Sequence, residues 1–477
     1  MKETFHTFEI NFQFTMSGIS CTHAFACAIQ VIAGLSGAFD LARLLPVETK
    51  SLHTWGVCMR RTVLSVFLAL SLTLGFVLSA TAAEQPIIIG APLSTAFLYG
   101  WDAERGIKLA VEEINAAGGV AVGGKKRPFA VEVIDTRDLE PQVPVSEALL
   151  GVEKLILEKK ADFLIGGPVR SEAALAAQDL LNKYKKVSIV TTGVLTPAYT
   201  NKVAENYAKY KYCFRNTSHV GVMIGEFAAL FDDLKKTQGF NQAYIMVQDV
   251  AHARGGGEAM KKTLTERGWT VGDMKVYPTG TTDYSVGLVD AGKKNAQVLF
   301  LWMDMPESAI LLKQWSDMKS KALPMGFVNA AEQPGFWKAS GGTTEYLLVD
   351  LVNGGNSPSK ITPWTMKFCN AYQKKWGIEP EGYGTSSSYM AVYQLKAAIE
   401  KANSIDSDAV VKGLEDIDLM GVYGRMRFDK KSHQIIPSLD PKEGAVTDII
   451  QWQAGKRVQV FPPKVAEGKI LYPPWAK

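Results

Sequence analysis

The chain has 477 residues, 47% of them hydrophobic and 21% charged, with a formal net charge of +4. This is the composition of a globular protein with room for two or three domains, not of a disordered or fibrous one. Near balance between 52 basic and 48 acidic residues gives no electrostatic footprint for nucleic acid, and no such partner is expected.

Residues 1–58 show no clear periodicity and hold Cys21, Cys27 and Cys58. They precede the segment 59–83, MRRTVLSVFLALSLTLGFVLSATAA, in which Arg60 and Arg61 form a cationic start and 63–78 an apolar run. Ala80-Thr81-Ala82 then supplies a small-residue cleavage pattern, and the three parts together read as a secretory signal peptide, too short for a membrane anchor. Because a signal works at an amino terminus, translation is expected to start at Met59, and 1–58 to be a non-native upstream extension. No cysteine follows the cleavage point to accept lipid, so the mature chain is expected in a periplasm. Cys213 and Cys369, the cysteines that survive cleavage, are expected as free buried thiols.

From residue 84 the pattern alternates between short apolar runs and helical periodicity, the signature of parallel sheets covered by helices. Strands are expected at 87–91, 130–134, 163–166 and 188–191, with helices at about 107–117, 143–159 and 172–183 between them. A second cycle opens with the helix stripe Met223, Phe227, Leu230, Phe231 and Leu234, followed by strands at 243–247, 270–277, 298–302 and 325–328 and helices at 256–267 and 306–318. Helices at 364–375 and 387–402 have no strands of their own and should return to cover the first sheet. The expected fold is therefore α/β, with two doubly wound parallel-sheet lobes joined by a three-strand hinge. The lobes would comprise 84–215 with 349–428 and 216–348 with 429–477, and 461–475, rich in proline, would form an extended strap.

In such sheets ligands sit beyond the carboxyl ends of the strands. Three loops there carry hydroxyls ahead of a helix: Ser94 and Tyr99 after the first strand, Arg170 and Ser171 after the third, and Thr192, Gly193 and Leu195 after the fourth. One such loop merely caps its helix; three on one sheet edge suit a carboxylate. The second lobe offers His252, Trp302 with Asp304, and Glu332, able to hold an apolar body and a cationic group. Asp249 reads as a turn or cap residue, and Gly255-Gly256-Gly257 as a flexible turn, since no P-loop lysine or dinucleotide spacing accompanies it. With His219, His252 and His433 alone after cleavage, no paired metal spacing and no nucleophile pattern, neither an enzyme nor a bound metal or cofactor is expected.

Four stretches resemble one known group: IIIGAPLSTAFLYGWDAERGIKLAVEEINAAGGV at 87–120, FLIGGPVRSEAALA at 163–176, CFRNTSHVG at 213–221 and GVYGRMRFD at 421–429. They are similar to the periplasmic leucine/isoleucine/valine-binding protein family, the type I solute-binding proteins of ATP-driven (ABC) importers, over nearly all of 86–477. The resemblance implies that a solute's carboxylate is held at Arg170-Ser171 and Gly193 to Leu195, that its ammonium meets Glu332, and that Tyr99 flanks its side chain. His252 falls near a position commonly aromatic in that family. The chain departs from the pattern in Leu195, where threonine is usual, and in Arg170, where a small residue is usual. A guanidinium grips carboxylates bidentately, so an aromatic or other small organic acid is the rival to a branched-chain or similar hydrophobic amino acid. The implied partners are a small-molecule solute and an inner-membrane ABC permease; a ligand-sensing receptor module is the alternative role.

Overall fold

The computed structural model describes residues 84–476; the upstream extension and the signal segment lie outside them. Strand β1 (Ile87–Leu93) opens the first sheet and leads into α1 (Leu98–Ala116), which buries Ala103, Ile107, Ala110 and Ile114 on one stripe. Gly118 and Gly119, both at positive φ, turn the chain into a hairpin, β2 (Val120–Val122) with β3 (Lys125–Arg127). Then follow β4 (Phe129–Asp135), α2 (Val145–Leu157), β5 (Phe163–Gly166), α3 (Ser171–Tyr184), β6 (Ser188–Val190), the short α4 (Ala198–Glu205) and α5 (Tyr207–Tyr210), and β7 (Cys213–Arg215). The sheet runs β4-β1-β5-β6-β7, all parallel. Successive strands leave β1 in opposite directions, so the loops after β1 and β5 diverge and open a crevice.

The second lobe repeats the plan. It contains α6 (Val220–Gln238), β8 (Gln242–Gln248), α7 (Ala251–Glu266), β9 (Thr270–Tyr277), α8 (Ser285–Lys293), β10 (Val298–Met303), α9 (Ser308–Asp317) and β11 (Leu323–Val328). A 3-10 turn (Asn329–Glu332), α10 (Phe336–Ala339) and β12 (Leu348–Asp350) follow. Strands β9, β8, β10, β11 and β12 are parallel in that order, with a second crevice between β8 and β10.

The chain then returns to the first lobe as α11 (Pro363–Trp376), α12 (Gly384–Ala402), α13 (Ser407–Glu415) and the hairpin β13 (Leu419–Gly421) with β14 (Gly424–Met426). Helix α12 lies so close on α1 that a Cβ at Gly106 would fall 2.4 Å from the Thr385 carbonyl oxygen. Its buried Met390, Leu395 and Ile399 join the core over the first sheet, each contributing about 1.5–3 kcal/mol by leaving water. Antiparallel β15 (Ile449–Gln453) and β16 (Lys456–Phe461) complete the second sheet beside β12. Cys213 and Cys369 are both buried and unpaired, and no helix among the described residues is long and apolar enough to cross a membrane.

Three connections join the lobes, at residues 216–219, 351–356 and 446–448. The third comes later than the expected place near Phe428. Gln434 pairs with Arg215, extending the first sheet, and Ile435 and Ala445 pack in the first lobe's core. The glycine run 255–257 also differs from expectation: it lies inside α7. A Cβ at Gly256 would meet the Trp302 ring at 2.5 Å, and one at Gly257 would meet Met274 and Val247 below 3 Å, so the glycines let the helix settle onto its sheet.

Candidate ligand cleft between the lobes

On the first lobe the loops are drawn together by Asp138, a residue the sequence did not single out. Its carboxylate accepts from Ser94 Oγ (3.1 Å), Thr136 Oγ1 (2.5 Å) and the Arg170 backbone N–H (2.6 Å). Ser94 also accepts from the Leu139 N–H at 3.0 Å, so this buried hydroxyl serves the loop framework and is not free for a solute. Arg170 occupies the N-cap of α3 and is half-buried, its Nε 3.9 Å from Glu172 Oε2; Ser171 is the first helical residue.

Thr192 is buried and its Oγ1 has no partner. Gly193, at φ +62°, passes so close to Val169 that a Cβ would fall 2.1 Å from its carbonyl oxygen. The Gly193 N–H donates to the hydroxyl of Tyr383 at 3.2 Å. Tyr383, at the N-cap of α12, was not anticipated either; its ring centroid lies 4.8 Å from that of Tyr99. Tyr99 and Leu195, both half-buried, pack with Tyr383 against the core of the second lobe, which makes these side chains an apolar seam between the lobes.

On the second lobe His252, in the first turn of α7, pairs through Nε2 with Asp304 Oδ2 at 2.6 Å. Burial pulls the imidazole down, but the Asp304 carboxylate and, across the cleft, that of Glu172 outweigh it and leave His252 above its ordinary value. Asp249 pairs with Arg254 at the same rim. Trp302 is a core residue: its ring is fully buried, closed over by Gly256 and packed on Phe300 and Phe327. It supports the cleft from beneath and offers no open face.

Glu332 sits in the turn after β11, only 1% exposed, and neither of its carboxylate oxygens has a hydrogen-bond partner. Burial, then the carboxyls of Asp350 and Asp102, push it well above the usual carboxylate range against weaker pulls from Arg457 and from the nearby Tyr383 backbone N–H. Asp102 of α1 accepts from Thr385 Oγ1 at 3.2 Å, leaves Oδ1 unpartnered, and is pushed by burial to about 8. The carboxyls of Glu332, Asp102 and Asp304 all act on the phenols of Tyr99 and Tyr383, which places them around one space. Ser94 and Trp302 are thus set apart from that space, while Tyr99, Thr192, Gly193, Leu195, Asp304 and Glu332 converge on it, with Arg170, Ser171 and His252 at its rim. Among the described residues no group of three potential metal ligands assembles.

A family model described as periplasmic binding protein matches residues 91–440. The chain belongs to the periplasmic binding protein family. This periplasmic binding protein is 24% identical over 435 residues to the Leu/Ile/Val-binding protein homolog 8 of Brucella abortus, a match that spans 85% of this chain and 98% of the relative. Among solved structures, a chain from Silicibacter pomeroyi assigned to a branched-chain amino acid ABC transporter superposes with a TM-score of 0.73 at 18% identity, covering 82% of this chain and all of that one. The substrate-binding protein LivJ of Streptococcus pneumoniae, in complex with isoleucine, gives 0.61 at 18% identity, covering 81% of this chain and 100% of LivJ. An R. palustris solute-binding protein in complex with benzoate gives 0.61 at 15%, covering 82% and 98%. This periplasmic binding protein therefore has the type I fold, and its family is one of binding proteins, not of enzymes.

Proposed function

We propose that the protein captures a branched-chain or similar hydrophobic amino acid in the cleft and delivers it to an inner-membrane ABC permease, acting in the periplasm after cleavage of the 59–83 signal. The observation that carries this reading is Glu332, a buried carboxyl with two unpartnered oxygens beside an apolar seam of Tyr99, Leu195 and Tyr383. A buried carboxylate without partners is costly, and a solute ammonium supplies the missing charge and donors. The half-buried Arg170 and Ser171 at the start of α3 suit the carboxylate of the same solute. Three connecting segments let the lobes close on it as rigid bodies, and expulsion of water then strengthens each charged contact. The closed shape would be the signal a permease reads.

A second reading, capture of an aromatic or other small organic acid, is favoured by Leu195, which makes the cleft more apolar, by Arg170, and by the benzoate complex of a structural neighbour. Calorimetric titration of the mature chain with L-leucine and with benzoate separates the two. The amino-acid reading requires leucine to bind more tightly, and binding of benzoate alone would replace it with the second.

A further inference from the structure

Resting on that reading of the cleft, we propose that Tyr383 determines specificity: its phenol O–H, together with the hydroxyl of Thr192, receives the carboxylate of the solute. The ring is 2% exposed and lies against Tyr99 at the meeting of the lobes. Its oxygen accepts the Gly193 N–H at 3.2 Å, and among the described residues it has no hydrogen-bond acceptor for its own hydrogen. Thr192 Oγ1, one residue before Gly193, is equally buried and has no partner at all. A Cβ added at Gly384, the residue after Tyr383, would lie 2.9 Å from that Oγ1, so the two hydroxyl-bearing segments abut.

Two buried hydroxyls with hydrogens to give and nothing to receive them form an incomplete site. A buried donor without an acceptor costs free energy that an acceptor in the ligand removes, and a carboxylate accepts from both at once. A cation or an alkane brings no acceptor. Leu195, further along the same loop, provides no hydroxyl, so Tyr383 supplies one from the start of the adjoining helix α12. Donation from Gly193 polarises the phenol and strengthens its own donation. Burial first, then the carboxyls of Glu332, Asp102 and Asp304, raise the phenol far above its ordinary range and keep its hydrogen in place at neutral pH.

The position is held from behind. The Tyr383 carbonyl oxygen accepts from Asn353 Nδ2 (2.9 Å) and Ser387 Oγ (3.1 Å). Asn353 also donates to Thr217 Oγ1 (3.0 Å) and accepts the Ser218 N–H (3.2 Å), so the residue is fixed to two of the three connections between the lobes.

The test is calorimetric titration of the mature protein and its Tyr383→Phe and Thr192→Val variants with L-leucine and leucinamide, and with benzoate and benzamide. Each variant should lose about tenfold or more in affinity for whichever acid the parent binds, the size of one hydrogen bond to a charged group, while its affinity for the matching amide moves much less. Thermal unfolding should show both variants folded, and Thr192→Val, smaller in its disturbance, checks the result independently. Unchanged or tighter acid binding by folded Tyr383→Phe overturns the assignment and leaves the import reading standing. A parent protein that binds neither acid removes both.

Discussion

Both oxygens of Glu332 lack a donor in a place that water does not reach, and that single fact sorts the candidate solutes. Ionised, the carboxyl needs a cation; protonated, it wastes its strongest interaction. Glu332→Gln removes the charge at nearly constant volume. Leucine affinity should fall about tenfold to a hundredfold, as expected for a lost charge-assisted bond of roughly 1.5–3 kcal/mol, whereas benzoate, with no ammonium, should bind at least as well as before. Titration calorimetry on the variant gives both numbers, and equal losses for the two ligands would place the ammonium elsewhere. The same variant should unfold at a higher temperature than the parent near neutral pH, because a buried carboxyl held far above its ordinary range is a cost to the fold.

At the level of elements, the connections between lobes are fastened by buried amide side chains. Asn353 bonds Thr217, Ser218 and Tyr383; Asn216 donates to the Ser387 carbonyl oxygen at 2.9 Å; and Asn356 accepts the Ser386 N–H at 3.0 Å. Asn353→Ala leaves a buried hydroxyl and an N–H without their partner and takes one of two donors from the Tyr383 carbonyl, and should lower stability by about 1–3 kcal/mol in denaturant unfolding. Loss well below that range would mean that the clasp is shared by its neighbours. None of this was visible in the sequence, because each bond joins residues more than a hundred or about thirty positions apart. The sheets were legible for the opposite reason. Strands such as β8 and β10 are buried on both faces and so read as unbroken apolar runs. Strands β7 and β12 escaped notice because each has three residues and ends in a charged one, Arg215 and Asp350. At the cleft, loops after strands were found by position, but position alone does not separate Ser94, absorbed by Asp138, from Thr192, left open.

For the whole molecule, the same connections carry an acidic cluster that ties stability to pH. Glu226 of α6, Asp350 at the end of β12 and Asp448 before β15 are all buried, and each has at least one carboxyl oxygen without a partner. Burial, with the other acids of the cluster, pushes Glu226 and Asp448 well above the carboxylate range, and burial pushes Asp350 to about 7. Facing them are the Arg457 guanidinium, which pulls Asp448 partly back, and Glu332 beside Asp350. In the unfolded chain these groups titrate near 4, so the folded state binds more protons than the unfolded one between that value and about 7. The stabilisation is therefore complete below pH ~4 and is lost as pH rises through about 7. Exposed carboxylates elsewhere, such as Asp179 and Asp416, are lowered by lysine partners and act in the opposite sense only at the acid end. Thermal unfolding followed from pH 5 to 8 should consequently show a falling midpoint. Asp350→Asn should flatten that slope and raise the midpoint at pH 8, where the parent carries the ionised cluster. A parent midpoint that is level or rises across this interval would mean that the three acids are relieved by opening of the connections instead of by protons, and the lobes would then be expected to sit further apart in alkaline than in acidic solution.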